Sequence, residues 1–255
     1  MSEAAVTSVA GAAAEATGLG ARIAHEIAIK TMFSIHVFGL EIPISDTVVT
    51  TWILMILLIS VAWFGTRRLK EVPTGLQLAL ESLIGTIESL VRGSMGNHGK
   101  AYVPFLGTVA LYLGTANILP FITPIAAFGF EPPFALRPPT RDINVTTAFA
   151  VVIIMTVLIS ALRKKGPVGW AKSLVRPTPV MLPFNILEYF IRPLSLSLRL
   201  FGNILGAYII MSLIEAVVPI GVPPFLGLYF DLFDGLIQAV VFTFLSTIFI
   251  AEAIE

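Results

Sequence analysis

The sequence contains no cysteine, which excludes disulfides, thiolate metal sites and cysteine nucleophiles. It has only three histidines, His25, His36 and His98, and no two of them lie at helical ligand spacing, which argues against a zinc or haem site. The 16 basic and 16 acidic residues cancel, so the chain lacks the basic surplus that nucleic-acid binding needs. We therefore expect no metal, no cofactor and no nucleic-acid partner.

Charge of either sign is also scarce. Only 13% of the 255 residues are charged, whereas a soluble domain carries about a quarter. The hydrophobic fraction is 56%, and a chain this apolar must place most of its surface in lipid or against other apolar chains. We predict an all-α polytopic membrane protein, in which residues 1–46 form an extracytoplasmic segment and residues 47–255 form a single membrane domain.

Five apolar segments have about the length that a helix needs to cross the hydrocarbon core. They are Thr47–Phe64, Tyr102–Pro120, Val145–Leu162, Phe184–Pro219 and Gly227–Ile254. The last two exceed a perpendicular crossing, so we expect long, tilted helices that form a hairpin over residues 184–255. Between the first two segments, the apolar residues of Gly75–Gly93 are offset from Glu81 and Glu88, which predicts one interfacial amphipathic helix.

Proline and glycine mark the connections between these segments. We predict loops over Phe121–Asp142 and Gly166–Pro183 and a turn at Gly221–Pro224. Met1–Gly20 is predicted to be a flexible tail, and the alternating Phe33–Ile44 to lie at the membrane surface.

The distribution of basic residues predicts the orientation of the chain in its membrane. Arg163–Arg176 holds five bases and no acid, and Gly65–Lys100 holds another five bases, so both stretches are assigned to the cytoplasm. The part before Thr47 is acidic and is assigned to the outside, which leaves the C-terminus in the cytoplasm. The sequence shows no internal repeat of the kind that inverted-repeat transporters carry.

Arg199 is the sharpest exception to the apolar pattern. It lies in IRPLSLSLRLFGNILG, cannot be deprotonated, and costs about 2.5–3.5 kcal/mol at the centre of a membrane helix. No acid stands at helical spacing from it, and Glu188 is about 16 Å away along a helix. The counter-charge must therefore come from another segment or another chain, unless Arg199 snorkels or pairs statically.

Other polar residues are predicted to gather around Arg199. Asn203 is one turn away and is expected to hold the guanidinium or a water, and Gly202 and Gly206 offer a face for close helix packing. A hairpin brings Gln238 to a similar depth. The groups predicted to lie outward of Arg199 are Tyr208, Glu215, Asp231 and Asp234, and those predicted inward are Asn185, Glu188, Ser195 and Ser197.

The sequence around Arg199 resembles the signature of the a subunit of F-type ATP synthases. The motif is RPLSLSLRLFGN, Arg192–Asn203, and the resemblance extends from Gly39 to the C-terminus. Four further motifs carry it in order: GLEIPISDTVVTTW (Gly39–Trp52), NILP (Asn117–Pro120), PTRDINVT (Pro139–Thr146) and the glutamine of the last span.

The resemblance implies a non-catalytic, ion-translocating stator subunit in a bacterial inner membrane, with two aqueous half-channels. Its implied partners are a ring of c subunits with membrane carboxylates, the b-subunit peripheral stalk, other ATP synthase subunits and lipid. The family's essential arginine corresponds to Arg199, its polar partners to Gln238 and Asn203, and its outer acid or histidine to Asp231. Some members carry acids where this chain has Asn117 and Tyr208, so the outer route is expected to use Asp231, Asp234 and Glu215.

Two other functions stay open at this point. A self-contained ion channel or secondary transporter would transport when purified alone, and a structural scaffold would use Arg199 as a static pair. The coupling ion is either H+ or Na+, because sodium selection requires an oxygen cage that the ring would supply.

Overall fold

The computed structural model describes residues 31–37, 40–67, 69–126, 138–175, 178–218 and 222–255. Within these ranges the chain is built of helices, and one two-stranded β-hairpin precedes them. The all-α fold class predicted for the membrane domain is therefore confirmed. The predicted tail Met1–Gly20 lies outside the described residues.

The β-hairpin precedes the first helix. Strand β1, Thr31–Val37, pairs antiparallel with β2, Leu40–Ser45, and Val37 lies opposite Leu40. Sequence analysis placed the alternating Phe33–Ile44 at the membrane surface and assigned no strand to it. Alternation of apolar and polar residues is the pattern of a β-strand, and the described residues of this segment form two strands.

The helices follow the apolar segments closely. They are α1 (Asp46–Thr66), α2 (Leu76–Met95), α3 (Val103–Ala126), α4 (Ile143–Val175), α5 (Leu182–Val217), α6 (Val222–Gly227) and α7 (Gly235–Ile254), the last preceded by a π-helical turn, Leu228–Asp234. Four stretches are long and apolar enough to cross a membrane: Asp46–Thr66, Ile143–Val175, Leu182–Ile214 and Phe225–Ile254. Helix α3 adds a shorter apolar stretch, Val103–Leu119.

Helix α2 is the predicted amphipathic helix. It buries Val91 and Met95 and leaves Leu78 and Leu83 exposed. It packs against α3 and α7, so its apolar stripe lies partly on the bundle.

Three predicted connections are shorter than expected, because helices run into them. Helix α3 continues to Ala126, into the predicted loop Phe121–Asp142. Helix α6 begins at Val222, where a turn was predicted, because proline is tolerated in the first turn of a helix.

The third correction concerns the predicted loop Gly166–Pro183. Helix α4 changes direction at Gly166, whose φ of 72° suits a residue without Cβ, and helix resumes after Pro167 as far as Val175.

Helix α7 lies at the centre of the bundle, and α5 lies at its edge. α3 and α4 both pack along α7, and α4 also packs along α5. Gly235 permits a close approach of α3, because a Cβ there would stand 2.8 Å from Cβ of Asn117. In an 18-residue window of each stretch, 44% of residues are buried for Phe225–Ile254 but only 11% for Leu182–Ile214, which leaves one face of α5 without a partner among the described residues.

Candidate functional site

Arg199 lies on the open face of α5. Leu196 and Leu200 are turned into the core, whereas Arg199 is exposed beside Leu198. Over the described part of the chain, no carboxylate lies within ion-pair distance of its guanidinium and no group hydrogen-bonds to it. This agrees with the expectation that the counter-charge of Arg199 is not on its own helix.

The small residues that follow Arg199 are open as well. A Cβ built at Gly202 or at Gly206 meets no atom within 4 Å. The close-packing face predicted from these glycines is therefore not occupied by any described helix of this chain, and it stays available to a neighbouring molecule.

An amide pair joins α5 to α7 one turn beyond Arg199. The Asn203 Nδ2 donates to Oε1 of Gln238 at 2.7 Å. Gln238 is 3% exposed, and its Nε2 has no acceptor in the structure. Asn203 thus bonds to Gln238 and not to the guanidinium, and the predicted proximity of Gln238 to the level of Arg199 agrees with this bond.

A cavity of about 250 Å³ lies on the C-terminal side of Arg199 along α5, and we call it the Tyr208 cavity. Its polar lining residues are Asn117, Arg141, Tyr208, Ser212, Asp234 and Gln238. Asp234 ends the π-helical turn, a feature that is rare and often found at functional sites. The backbones of Glu215 and Asp231 lie in α5 and in this turn, and their side chains lie outside the described part.

Asn117 is a buried anchor in the wall of the Tyr208 cavity. Its Nδ2 donates to the Gly235 carbonyl at 2.9 Å, and its Oδ1 accepts from Thr140 Oγ1 at 2.8 Å. Both the donor and the acceptor of the Asn117 amide are used, so Asn117 holds α3, α7 and the turn around Thr140 together.

Sequence analysis missed Arg141, which lies in the 3₁₀ turn Pro139–Arg141. Its guanidinium carbon stands 3.5 Å from the centre of the Tyr208 ring, within cation–π distance. Its Nε and Nη2 atoms are buried and have no hydrogen-bond partner among the residues that the structure describes. The motif PTRDINVT contains this arginine, but sequence analysis assigned Arg141 to a loop. Nothing in the sequence indicated that a residue of this loop lines a cavity.

A second cavity, of about 210 Å³, lies on the N-terminal side of Arg199, and we call it the Arg192 cavity. Its charged and amide lining residues are Lys165, Asn185, Glu188, Arg192 and Glu252. Arg192 Nη2 lies 3.1 Å from Glu188 and 2.9 Å from Glu252, so this arginine is paired within its own chain. The spacing of Glu188 and Arg192 could have indicated the first pair, but Glu252 comes from a distant helix.

The two serines before Arg199 face different surroundings. Ser195 is exposed, on the same open side as Arg199. Ser197 is buried and lies within hydrogen-bond distance of Thr147 at 3.0 Å and Thr146 at 3.2 Å on α4. Ser197 therefore fastens α5 to α4, and only Ser195 lies on the open face.

Arg199 stands between the two cavities along α5. Tyr208 follows it by about 14 Å and Glu188 precedes it by about 16 Å at the helical rise. The structure thus brings together two polar regions on either side of one unpaired cation, which is an arrangement suited to passing charge in two separated steps.

The sequence comparisons show the family to which the chain belongs. The family described as "ATP synthase A chain" matches residues 48–251. The sodium-ion-specific ATP synthase subunit a of Propionigenium modestum is 34% identical over 235 residues, covering 90% of this chain and 80% of that protein. The ATP synthase subunit a of Moorella thermoacetica is 35% identical over 222 residues, covering 87% and 96%.

A third relative, the ATP synthase subunit a of Gloeobacter violaceus, is 39% identical over 211 residues, covering 82% of this chain and 84% of that protein. The family match spans most of the chain and includes Arg199, the Tyr208 cavity and all of the Arg192 cavity except Glu252 and Ala253. The chain is a multi-pass membrane protein that belongs to the ATP synthase A chain family, the ion-translocating stator subunit of the enzyme's membrane sector.

Proposed function

We propose that this chain carries ions to and from the carboxylates of a rotating ring of c subunits, and that Arg199 is the residue those carboxylates meet. The observation that supports this is the exposed, unpaired Arg199 on a face of α5 that its own chain leaves open. A permanent cation in an apolar face needs an anion, and a passing carboxylate supplies one. The other proposed partners are the b-subunit stalk, further ATP synthase subunits and lipid.

The orientation follows from the basic residues. The Tyr208 cavity faces the outside and the Arg192 cavity faces the cytoplasm, because the base-rich stretch Arg163–Arg176 adjoins the latter through Lys165. The N-terminus lies outside and the C-terminus in the cytoplasm of a bacterial inner membrane. Residues 47–255 form one membrane domain, and residues 184–255 form the ring-facing hairpin.

Ion entry uses the Tyr208 cavity. An ion passes Asp234, assisted by Asp231 and Glu215 from the same region of sequence, and neutralises a ring carboxylate. The amides of Asn203, Gln238 and Asn117 line this route or hold its wall. A neutral carboxylate can enter lipid, whereas an ionised one is held back by its desolvation cost.

Ion release uses the Arg192 cavity. A loaded carboxylate that approaches Arg199 is favoured in its ionised form, because an opposite charge nearby stabilises the anion. The released ion leaves past Ser195 and the acids Glu188 and Glu252. Arg199 also separates the two routes, since a cation does not pass a fixed cation. Each charge that crosses the full membrane potential releases about 2.3 kcal/mol per 100 mV. Rotation of the ring adds up the free energy of successive ions.

The test compares Arg199→Gln with Arg192→Gln in the assembled complex, using ATP-driven ion pumping into native membrane vesicles. Arg199→Gln is expected to abolish pumping and to leave a passive leak, because nothing then separates the two routes. Arg192→Gln is the matched control, since it removes another arginine from the same helix. The two acids that pair with Arg192, Glu188 and Glu252, are more than half exposed and stay hydrated without it. It should retain most of the pumping.

Retained pumping in Arg199→Gln would refute the assigned role. Transport by the purified chain alone in liposomes would favour a self-contained channel instead. Loss of assembly in place of loss of coupling would favour a scaffold.

A further inference from the structure

The structure assigns a second fixed cation to the entry route, Arg141. We infer that Arg141 is a positioning residue for ion entry: its charge lowers the affinity of the Asp234 carboxylate for the arriving cation. This inference rests on the proposed function and extends it to a residue outside the signature around Arg199.

The position of the Arg141 guanidinium is fixed from two sides. On one side it stacks on the Tyr208 ring at 3.5 Å. On the other, its backbone belongs to a buried turn in which Thr140, 0% exposed, bonds to Asn117. A side chain held in this way does not snorkel out of the cavity, so its charge acts from a constant place.

The guanidinium also carries unused donors. Nε and Nη2 are buried, and neither has an acceptor in the described protein. These two donors therefore do not offset the charge of the guanidinium through hydrogen bonds within the described protein.

Arg141 is the cation that shares the Tyr208 cavity with Asp234. The described helices packed against the π-helical turn are α3, α5, α6 and α7. Tyr112 is the ionisable residue of α3, α6 has none, and α7 has none before Glu252. Helix α5 supplies Tyr208 and Glu215 and, nearer its start, Glu188, Tyr189, Arg192 and Arg199. Neither of its two arginines lines the Tyr208 cavity, whereas Arg141 does.

Asp142, the acid next to Arg141 in the chain, does not line the Tyr208 cavity. It accepts from Thr47 Oγ1 at 3.1 Å and from Asn144. Among the described lining residues of the Tyr208 cavity, Arg141 is the permanent cation and Asp234 is the acid. A cation across such a space weakens the binding of a second cation to the acid, so the ion passes on quickly.

The experiment compares Arg141→Gln with Arg141→Lys in the whole complex, in membrane vesicles. The readout is the rate of ATP synthesis against the outside concentration of the ion, H+ or Na+, that drives the unaltered complex. Arg141→Gln should lower the half-saturating concentration on the order of tenfold and lower the maximal rate, because the acid then holds the ion more tightly. Arg141→Lys keeps the charge and should stay within about threefold of the unaltered value.

Equal shifts in both variants, or no shift in either, would overturn the inference, because each result makes the charge irrelevant. If Arg141→Gln does not assemble, Asp234→Asn provides the second test. It removes the acid and should raise the half-saturating concentration, and an unchanged value contradicts the inference. Arg199→Ala separates the two proposals. If the complex with Arg199→Ala still pumps, the proposed function fails. If it does not pump and Arg141→Gln leaves the half-saturating concentration unshifted, this inference alone fails.

Discussion

Two arginines on α5, seven residues apart, have opposite surroundings. Arg192 is paired with Glu188 on its own helix and with Glu252 on α7. Arg199, two turns further on, has no partner in the described chain and lies among exposed leucines. The comparison teaches that an arginine in an apolar helix is not by itself a functional signal. The missing partner is the signal, because a neighbour must then supply it.

The cavities beside these arginines differ in the same way. The Arg192 cavity holds two acids and two bases that largely neutralise each other. The Tyr208 cavity holds one guanidinium stacked on an aromatic ring and one acid, with amides between them. The cavity proposed for ion entry thus has no ion pair among its described lining residues, and the cavity proposed for release has a formed ion-pair network.

The largest effect is expected from giving Arg199 the partner that Arg192 has. Ser195→Glu places a carboxylate four residues before Arg199, at the spacing of Glu188 and Arg192. We expect ATP-driven pumping to fall about tenfold or more, because an internal ion pair worth over about 1.4 kcal/mol competes with the ring carboxylate. Ser195→Gln is the matched control and should keep most of the pumping. Equal losses in the two variants would show that size, not charge, matters at this position.

The next effect concerns the amide link between α5 and α7. Gln238→Leu removes the acceptor of Asn203, and it should reduce pumping by about fivefold, the equivalent of one hydrogen bond of about 1 kcal/mol. Arg199→Ala should do more harm than Gln238→Leu. A pumping rate in Gln238→Leu as low as in Arg199→Ala would mean that the amide pair, and not the cation alone, forms the barrier.

The smallest effect is expected in the paired region. Glu252→Gln leaves Arg192 with Glu188 and should lower pumping by about twofold, since exposed ion pairs contribute about 0.2–1 kcal/mol. Glu88→Gln, which breaks the exposed pair with Arg92 on α2, is the control and should have no effect on pumping. A loss in Glu252→Gln comparable to that in Ser195→Glu would remove the contrast between the two arginines.

The helices were largely predictable from the sequence because apolar length and helical periodicity determine them. The ends were not, since prolines at Pro120, Pro167 and Pro223 marked loops where the chain is helical. The β-hairpin was missed because the alternation of apolar and polar residues was interpreted as a segment at the membrane surface and not as a pair of strands.

The site was predictable only along one helix. Arg199, Asn203 and Gln238 follow from rare polar residues in apolar runs, and the spacing along α5 separated the two polar regions. Arg141 and Glu252 did not follow, because each enters its cavity from a segment distant in sequence. Ser195 and Ser197 were grouped together, although only the fold shows that they face opposite sides.

The most direct test uses the absence of cysteine from this chain. Single cysteines at Ser195 and Asn203, both on the open face, are paired with a cysteine beside the carboxylate of the c subunit, and disulfide formation is measured in assembled complexes. Ser197→Cys, buried against α4, is the control. The account predicts cross-links to the ring from positions 195 and 203 and none from 197. Absence of cross-links from both exposed positions would contradict the claim that Arg199 meets a carboxylate carried by the ring.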